Sequence, residues 1–262
     1  MTTQVLRHIE ADLLVAAARR RVVEDVGPFR AFIDPDTGDP GQSFAVPVRR
    51  WNPDAWRGEI AALDTLFARH GRSPRAEVFD RLWPGLGDRL LMAGWSTELR
   101  SVVMIRPTGP PVPQAAPPAD LAVRLVAGGG RPADMAAFLK ITRSAFEISA
   151  EIATPGEITR LTDDLAAGRL VVALLEGPEG PVACGSLLVG HRLVELADVG
   201  TLHSHRRLGC ARVLCAALLE HPAAVAARAV WLSTANGRAL ALYGRHLGFR
   251  PAGGQTCFRR YR

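Results

Sequence analysis

Residues 205–211 read HRRLGCA; they follow an apolar segment, VELADVGTL, and lead into an alanine- and leucine-rich stretch. Arginines beside a glycine and an alanine, at the point where a strand hands over to a helix, suit one kind of chemistry: holding an anion. A helix start exposes unpaired backbone N–H groups and the positive end of its dipole. In Arg206-x-x-Gly209-x-Ala211 the small residues let an anion reach that backbone, and arginine adds charge beside it. A bare Gly-x-Ala also fits a close-packed helix start, and Arg206 also fits a salt-bridged surface residue.

Other residues could do chemistry around this patch. Glu195 precedes Arg206 by eleven residues on the same strand and could accept a proton, or could be an ion-paired acid. Strand alternation puts Glu195, Ala197 and Val199 on one face and Asp198 on the other, unless a bulge near Val199 breaks the count. Asp198 is the second carboxylate available as a base. Asn236 and Tyr243, seven residues apart, share a helical face with Leu240 and Leu247. Asn236 is equally a helix cap and Tyr243 equally a core residue. His203 and His205 form a His-x-His pair without a third and fourth ligand at a recognisable spacing, so no metal is expected. The four cysteines, at 184, 210, 215 and 257, lack Cys-x-x-Cys spacing and read as reduced thiols, with Cys210 and Cys215 packed along a helix.

The elements that must position these residues alternate. After residue 120, LAVRLV reads as a strand and PADMAAFLKITRSAF as a helix, with Met135, Leu139 and Phe146 on or near one face. TPGEITRLTDDLAAG is a second helix, LVVALLE and VACGSLLVG are paired strands, and VELADVGTL is a further strand. Then come the helix GCARVLCAALLE, the strand AVWLSTA, the helix GRALALYGRHLG and the strand TCFRRY. The expectation is a mixed α/β sheet flanked by helices. Upstream, QVLRHIEADLLVAAARRRV reads as a helix and SFAVPVRRW as a strand. The series AEVF, GLGDRLLMAGW, ELRSVVMIR echoes AVWLS, GRALALYGRHLGF, QTCFRRY, with Gly94-Trp95 matching Gly248-Phe249.

The chain has 262 residues, 48% of them apolar, and a formal net charge of +6, almost all from arginine. That is enough to bury a core and leaves no run long enough to span a bilayer. The N-terminus turns polar too early for a signal peptide, so a cytoplasmic location is expected. Scattered arginines, 6% aromatic residues and no zinc-finger, RNP or basic-helix pattern argue against a nucleic-acid ligand. The six prolines in PTGPPVPQAAPPA divide the chain into 1–106, a linker at 107–120, and 121–262.

The spacing V-G-T-x-x-x-x-R-x-x-G-x-A at 199–211, followed by N-x-x-A-x-x-L-Y at 236–243 and Gly248-Phe249, resembles the GNAT superfamily of acyl-CoA-dependent N-acetyltransferases. The resemblance covers 121–262; His203 stands where the family often has proline. It implies acetyl-CoA as cofactor. Backbone groups of Val199, Gly200 and Thr201 would meet its pantetheine arm, and an N–H there would polarise the thioester carbonyl. The N–H groups of Arg207, Leu208, Gly209, Cys210 and Ala211 would hold its pyrophosphate, with Arg206 beside them and Asn236 as a further contact. Tyr243 would protonate the departing thiolate, and Glu195 resembles the position of the glutamate base in histone-acetylating members. The N-terminal half would be a degenerate, truncated copy, in which Arg89 fills the slot of Tyr243 and PDAWRGE replaces the loop.

The expected activity is transfer of an acetyl group to a primary amine by direct attack in a ternary complex. The rival is an acyl-CoA-binding module without turnover. The acceptor, a small molecule or a peptide, would be lined by the helices at 132–168, with Phe146 and Glu147 in contact. Neither nucleic acid nor membrane is expected as a partner, and a homodimer is compatible with the reading.

Overall fold

The computed structural model describes residues 2–19, 21–35, 41–110, 112, 116–126, 128–148 and 153–261. Two compact units result. The first comprises Met1–Met104, Ser233–Gly237 and Pro251–Arg262; the second comprises Ile105–Leu232 and Arg238–Arg250.

In the first unit, helix α1 (Thr2–Ala18) is followed by strands β1 (Val22–Val26), β2 (Phe29–Ile33) and β3 (Phe44–Pro47). Next come α2 (Trp56–Arg69), β4 (Arg75–Phe79), α3 (Leu86–Met92) and β5 (Ser96–Pro107). The last strand of the chain, β11 (Arg250–Arg259), also belongs here. It runs antiparallel to β4, with Gln255 opposite Phe79 and Arg259 opposite Arg75. That nonlocal pairing sets the C-terminal strand in the first unit. The helix expected to run through Val22 stops at Ala18; the β-branched pair Val22-Val23 opens a hairpin that turns at Gly27, whose φ is +51°. The core sets α2 and α3 (Ile60, Leu63, Phe67, Leu86, Leu90) against Phe29, Ala76, Val78 and Phe258.

In the second unit the strands lie in the order β10, β9, β8, β7, β6: β6 (Ala122–Val126), β7 (Leu170–Gly177), β8 (Gly180–Val189), β9 (Val194–Thr201) and β10 (Ala229–Thr234). All neighbours are antiparallel except β9 and β10, so the sheet is mixed. Helices α4 (Pro132–Ala145) and α5 (Pro155–Ala166) pack on it, as does α6 (Cys210–Glu220), which is followed by a short α7 (Pro222–Ala226) and by α8 (Gly237–His246). Local chemistry fixes the helix starts. Pro132 and Pro155 open α4 and α5, and Thr154 with Glu157 forms a capping box.

Helices α4 and α6 take opposite faces. A Cβ placed on Gly185 would lie 2.7 Å from Leu214 of α6, whereas one on Gly200 would lie 2.9 Å from Ala145 of α4. Cys184, beside Gly185 and opposite Gly200, bonds toward Thr142 on the α4 side. Of the expected linker, residues 111 and 113–115 lie outside the described residues. Its first part runs within the second unit: the Thr108 N–H donates to Arg228 O at 3.4 Å, and Val112 is buried.

Candidate active site

The site grows from an irregularity in β9. Ala183 and Cys184 of β8 face Thr201 and Gly200, and Ser186 then faces Ala197. Three residues of β9 are spent against two of β8, so one extra residue sits at Asp198–Val199, where Asp198 adopts φ +54°. Aspartate tolerates this left-handed conformation better than most side chains. Uniform alternation would have put Val199 with Glu195 and Ala197, and Asp198 opposite; the bulge reverses the last two. Val199 turns toward α6, its Cγ2 lying 3.5 Å from the Cβ position of Gly185. Asp198 turns to the other face, where its Oδ2 accepts from Ser186 Oγ at 2.8 Å. Glu195 and Ala197, two apart on the regular part of the strand, share the face of Ser186.

The parallel pairing of β9 with β10 is registered through Val194 and Glu195, opposite Val230 and Trp231. Beyond Glu195 the β10-side edge of β9 has no registered partner in that pair. Val199, Gly200 and Thr201 lie beyond the two registered pairs, and of their main-chain groups the Thr201 carbonyl accepts from Arg206.

A single 3₁₀ turn, His203–His205, leads from β9 into the loop. Arg206 does not point away from it. Its Nε donates to Thr201 O at 3.3 Å and its Nη2 to Ala145 O at 3.4 Å, tying the loop to the ends of β9 and α4. Arg207 (φ +67°) and Gly209 (φ +84°) both take left-handed backbone, and Gly209 caps α6. The Gly209 carbonyl accepts from the N–H groups of Arg212 and Val213. The five N–H groups from Arg207 to Ala211 find no oxygen acceptor among the described residues. Arg206 through Gly209 are exposed, and nothing lies within 4 Å of a Cβ on Gly209. A row of open donors at the start of an eleven-residue helix has the geometry to hold an anion. Cys210 is buried, its Sγ directed to His205 O at 3.4 Å.

Tyr243 stands on α8 with its ring buried, edge-on to Phe249 at 5.8 Å between centroids. Burial, and second the neighbouring Cys215, push its phenol upward, so it holds its proton at neutral pH. Asn236 directly precedes α8; its N–H donates to Thr234 Oγ1 at 3.2 Å, within Ser233–Gly237 of the first unit. Phe146 caps α4 and is 54% exposed, not packed on the helix's core face with Met135. Glu147 follows at φ +56°, and the Ile148 N–H closes the helix end onto Arg143 O at 3.0 Å. Since Ala145 touches Gly200, this exposed end of α4 lies near the end of β9.

Some participants were not visible as such in the sequence. Ser186 is fully buried and bonds Asp198 across the bulge. Burial raises the Asp198 carboxyl above the usual aspartate range, and the Ser186 hydroxyl only partly opposes this. The Cys184 thiol, buried between β8 and α4, is pushed up to about 12 and is inert at neutral pH. Arg89, the expected counterpart of Tyr243, lies on α3, donates to Gly85 O at 3.1 Å and stacks over Trp51 at 5.1 Å. Among the described residues no three His, Cys, Asp or Glu stand together as metal ligands, and no helix is long and apolar enough to cross a membrane.

Residues 135–249 match the model of the acetyltransferase (GNAT) family. No curated protein matches the chain. Among solved structures, a GCN5-related N-acetyltransferase from Kribbella flavida is similar in fold at TM-score 0.77 and 22% identity, over 96% of this chain and 94% of the other. A GCN5-related N-acetyltransferase from Sphaerobacter thermophilus is similar at TM-score 0.65 and 16% identity, over 88% and 76%. A tandem GNAT protein from the clavulanic acid biosynthesis pathway is similar at TM-score 0.62 and 18% identity, over 90% and 80%. The likeness of fold thus runs through both halves of the chain.

Proposed function

From the premise that residues 135–249 form a domain of the acetyltransferase (GNAT) family, an acyl-transferring family, we propose that the protein is an N-acetyltransferase. It would move an acetyl group from acetyl-CoA to a primary amine by direct attack in a ternary complex. The observation that carries this reading is the row of open N–H donors from Arg207 to Ala211, set behind a bulged strand. The donors suit a pyrophosphate, and the missing Cβ at Gly209 leaves room for it.

In this reading Arg207, Leu208, Gly209, Cys210 and Ala211 hold the pyrophosphate through their backbone, and Arg206 keeps the loop in place. Main-chain groups of Val199, Gly200 and Thr201 bind the pantetheine arm, and an N–H of that segment polarises the thioester carbonyl. Acetyl-CoA, when bound, supplies an acyl group already activated as a thioester. Glu195 takes the proton that the attacking amine must lose. Tyr243, kept protonated by burial, returns a proton to the sulfur. Asn236 adds a contact to the coenzyme, and Phe146 and Glu147 at the end of α4 meet the acceptor. The domain assigned to this activity begins near Leu121.

One observation favours acyl-CoA binding without turnover: the buried, edge-on packing of Tyr243 on Phe249 also serves a core. A panel of amines assayed by thiol release from acetyl-CoA separates the two. Turnover with any amine supports the transferase; coenzyme binding with no release across the panel supports the binding module.

A further inference from the structure

Asp198 is an expensive residue where it stands. Its carboxylate is desolvated, yet among the described residues only Ser186 bonds it, and no arginine, lysine or histidine there compensates its charge. Packed around it are the Ser186 hydroxyl and the Cys184 thiol of β8, whose Sγ is 3.5 Å from the Asp198 carbonyl. A purely structural role would not need the charge. Asparagine also tolerates positive φ and offers Ser186 the same acceptor oxygen, without a buried charge to desolvate. A desolvated carboxylate with a single hydroxyl partner, beside the strand segment assigned above to the thioester, is a candidate to meet a charged ligand.

The place indicates which ligand. Asp198 immediately precedes Val199–Thr201, the segment assigned above to the thioester arm, and shares a sheet face with Glu195. The residue as a whole keeps partial exposure at the bulge. An anionic or neutral acceptor would leave the carboxylate uncompensated. A metal ion would need more ligands than one carboxylate and one hydroxyl, and no such group stands there among the described residues.

We propose that Asp198 is the counter-ion for the acceptor, which enters the site as a small organic ammonium. The proposal rests on the acetyltransferase reading and narrows its substrate to amines bound in their cationic form. Ser186 holds one carboxylate oxygen and leaves the other to the ammonium. Acylation converts that cation to a neutral amide, so the product loses its attraction to Asp198 and departs.

The test uses the full chain with saturating coenzyme A and the isosteric variant Asp198→Asn. Calorimetry with 1,4-diaminobutane, tyramine and alaninamide, each beside a neutral hydroxyl or deaminated analogue, reads the interaction directly. At least one cation should bind the wild type tenfold or more tightly than the variant, with the neutral analogues indifferent. If no cation distinguishes the two proteins, including the case where none binds, the proposal is overturned. Thermal unfolding without ligand gives a second readout. Above the ordinary aspartate value of 3.8 the variant should be the more stable, because the folded wild type must carry a desolvated charge there. A variant less stable at every pH would show that the carboxylate is a compensated structural group and would overturn the proposal. Coenzyme binding is scored separately: its loss from both proteins removes the transferase reading, whereas its retention in both confines any failure to Asp198.

Discussion

The Arg206 guanidinium donates to the Ala145 carbonyl at 3.4 Å, joining the loop that precedes α6 to the last residue of α4 across 61 positions of sequence. With its second bond, to Thr201 O, the same side chain ties together the loop before α6, the end of β9 and the helix end that carries Phe146 and Glu147. Its positive charge satisfies carbonyls and does not hang free over an anion. Arg206→Ala should therefore weaken coenzyme binding by loosening the loop, at a cost of about 1 kcal/mol, or roughly fivefold in Kd. Arg206→Lys should not rescue it, since one ammonium cannot reproduce the planar fork. Titration calorimetry of both variants checks this; full rescue by lysine would mean that charge alone is needed.

Gly209 needs its positive φ, and a side chain there would enter the space over the open donors. Bound at 100 times its Kd, acetyl-CoA should stabilise the wild type by about 2.7 kcal/mol. Gly209→Glu should abolish that shift, while Gly209→Asn, which tolerates left-handed backbone, should retain part of it. An undiminished thermal shift in the glutamate variant would exclude this loop as the anion site.

Tyr243→Phe removes a proton donor and leaves the ring contact with Phe249 intact. Turnover should fall on the order of 10²-fold, with coenzyme affinity unchanged. Glu195→Gln should depress the rate most at low pH, where the amine is mostly protonated. Steady-state kinetics across pH measures both. Unchanged turnover in either variant would strip that residue of its role and leave the family assignment standing.

In the first unit, Glu10 of α1 is buried and accepts from Trp83 Nε1 at 2.6 Å. Desolvation raises its carboxyl; the Trp83 bond and Arg7 oppose this without cancelling it. A raised folded-state value means that stability is greatest below the ordinary 4.5 and falls as pH rises through the folded value. Glu10→Gln keeps an acceptor for Trp83 and should be more stable near neutral pH by on the order of 1 kcal/mol. The advantage should vanish in acid. Thermal unfolding at several pH values decides it, and an advantage independent of pH would rule out charge as the cause.

The strand-to-helix turn that carries the proposed anion loop was legible because its signal is local: arginine, glycine and alanine at fixed spacing, between a strand and a helix whose apolar periods differ. Features set by partners distant in sequence were not legible. Neither the attachment of β11 to β4 nor the two carbonyls that occupy Arg206 leaves a mark on neighbouring residues. The bulge, which the sequence left open near Val199, adds one residue to one strand only, so its presence shows in the register against β8 and not in β9 alone. The hairpin of β1 and β2 was hidden by the alanine–arginine run that prolongs the helical pattern of α1, although Gly27-Pro28 marks its turn. Phe146 has the spacing of a core residue but stands one position past the end of its helix.

One coenzyme should bind per chain, because the start of α2 in the first unit has what the start of α6 lacks. There the chain bonds to itself: the Ala55 N–H donates to Asn52 O at 3.2 Å and the Asp54 N–H to Asn52 Oδ1 at 3.0 Å. The Glu59 carboxylate reaches back to the Asn52 N–H at 3.3 Å. With Asp54 and Glu59 beside it, the helix start is filled by carboxylates where α6 is flanked by arginines, and a pyrophosphate would meet repulsion. Arg89 cannot serve as an acid to a thiolate, because guanidinium keeps its proton, and it is already engaged with Gly85 O and the Trp51 ring. Calorimetry of the full chain with acetyl-CoA should give a stoichiometry of one, and Gly209→Glu should reduce it to zero. Residual binding of one equivalent in that variant would place a working site in the first unit.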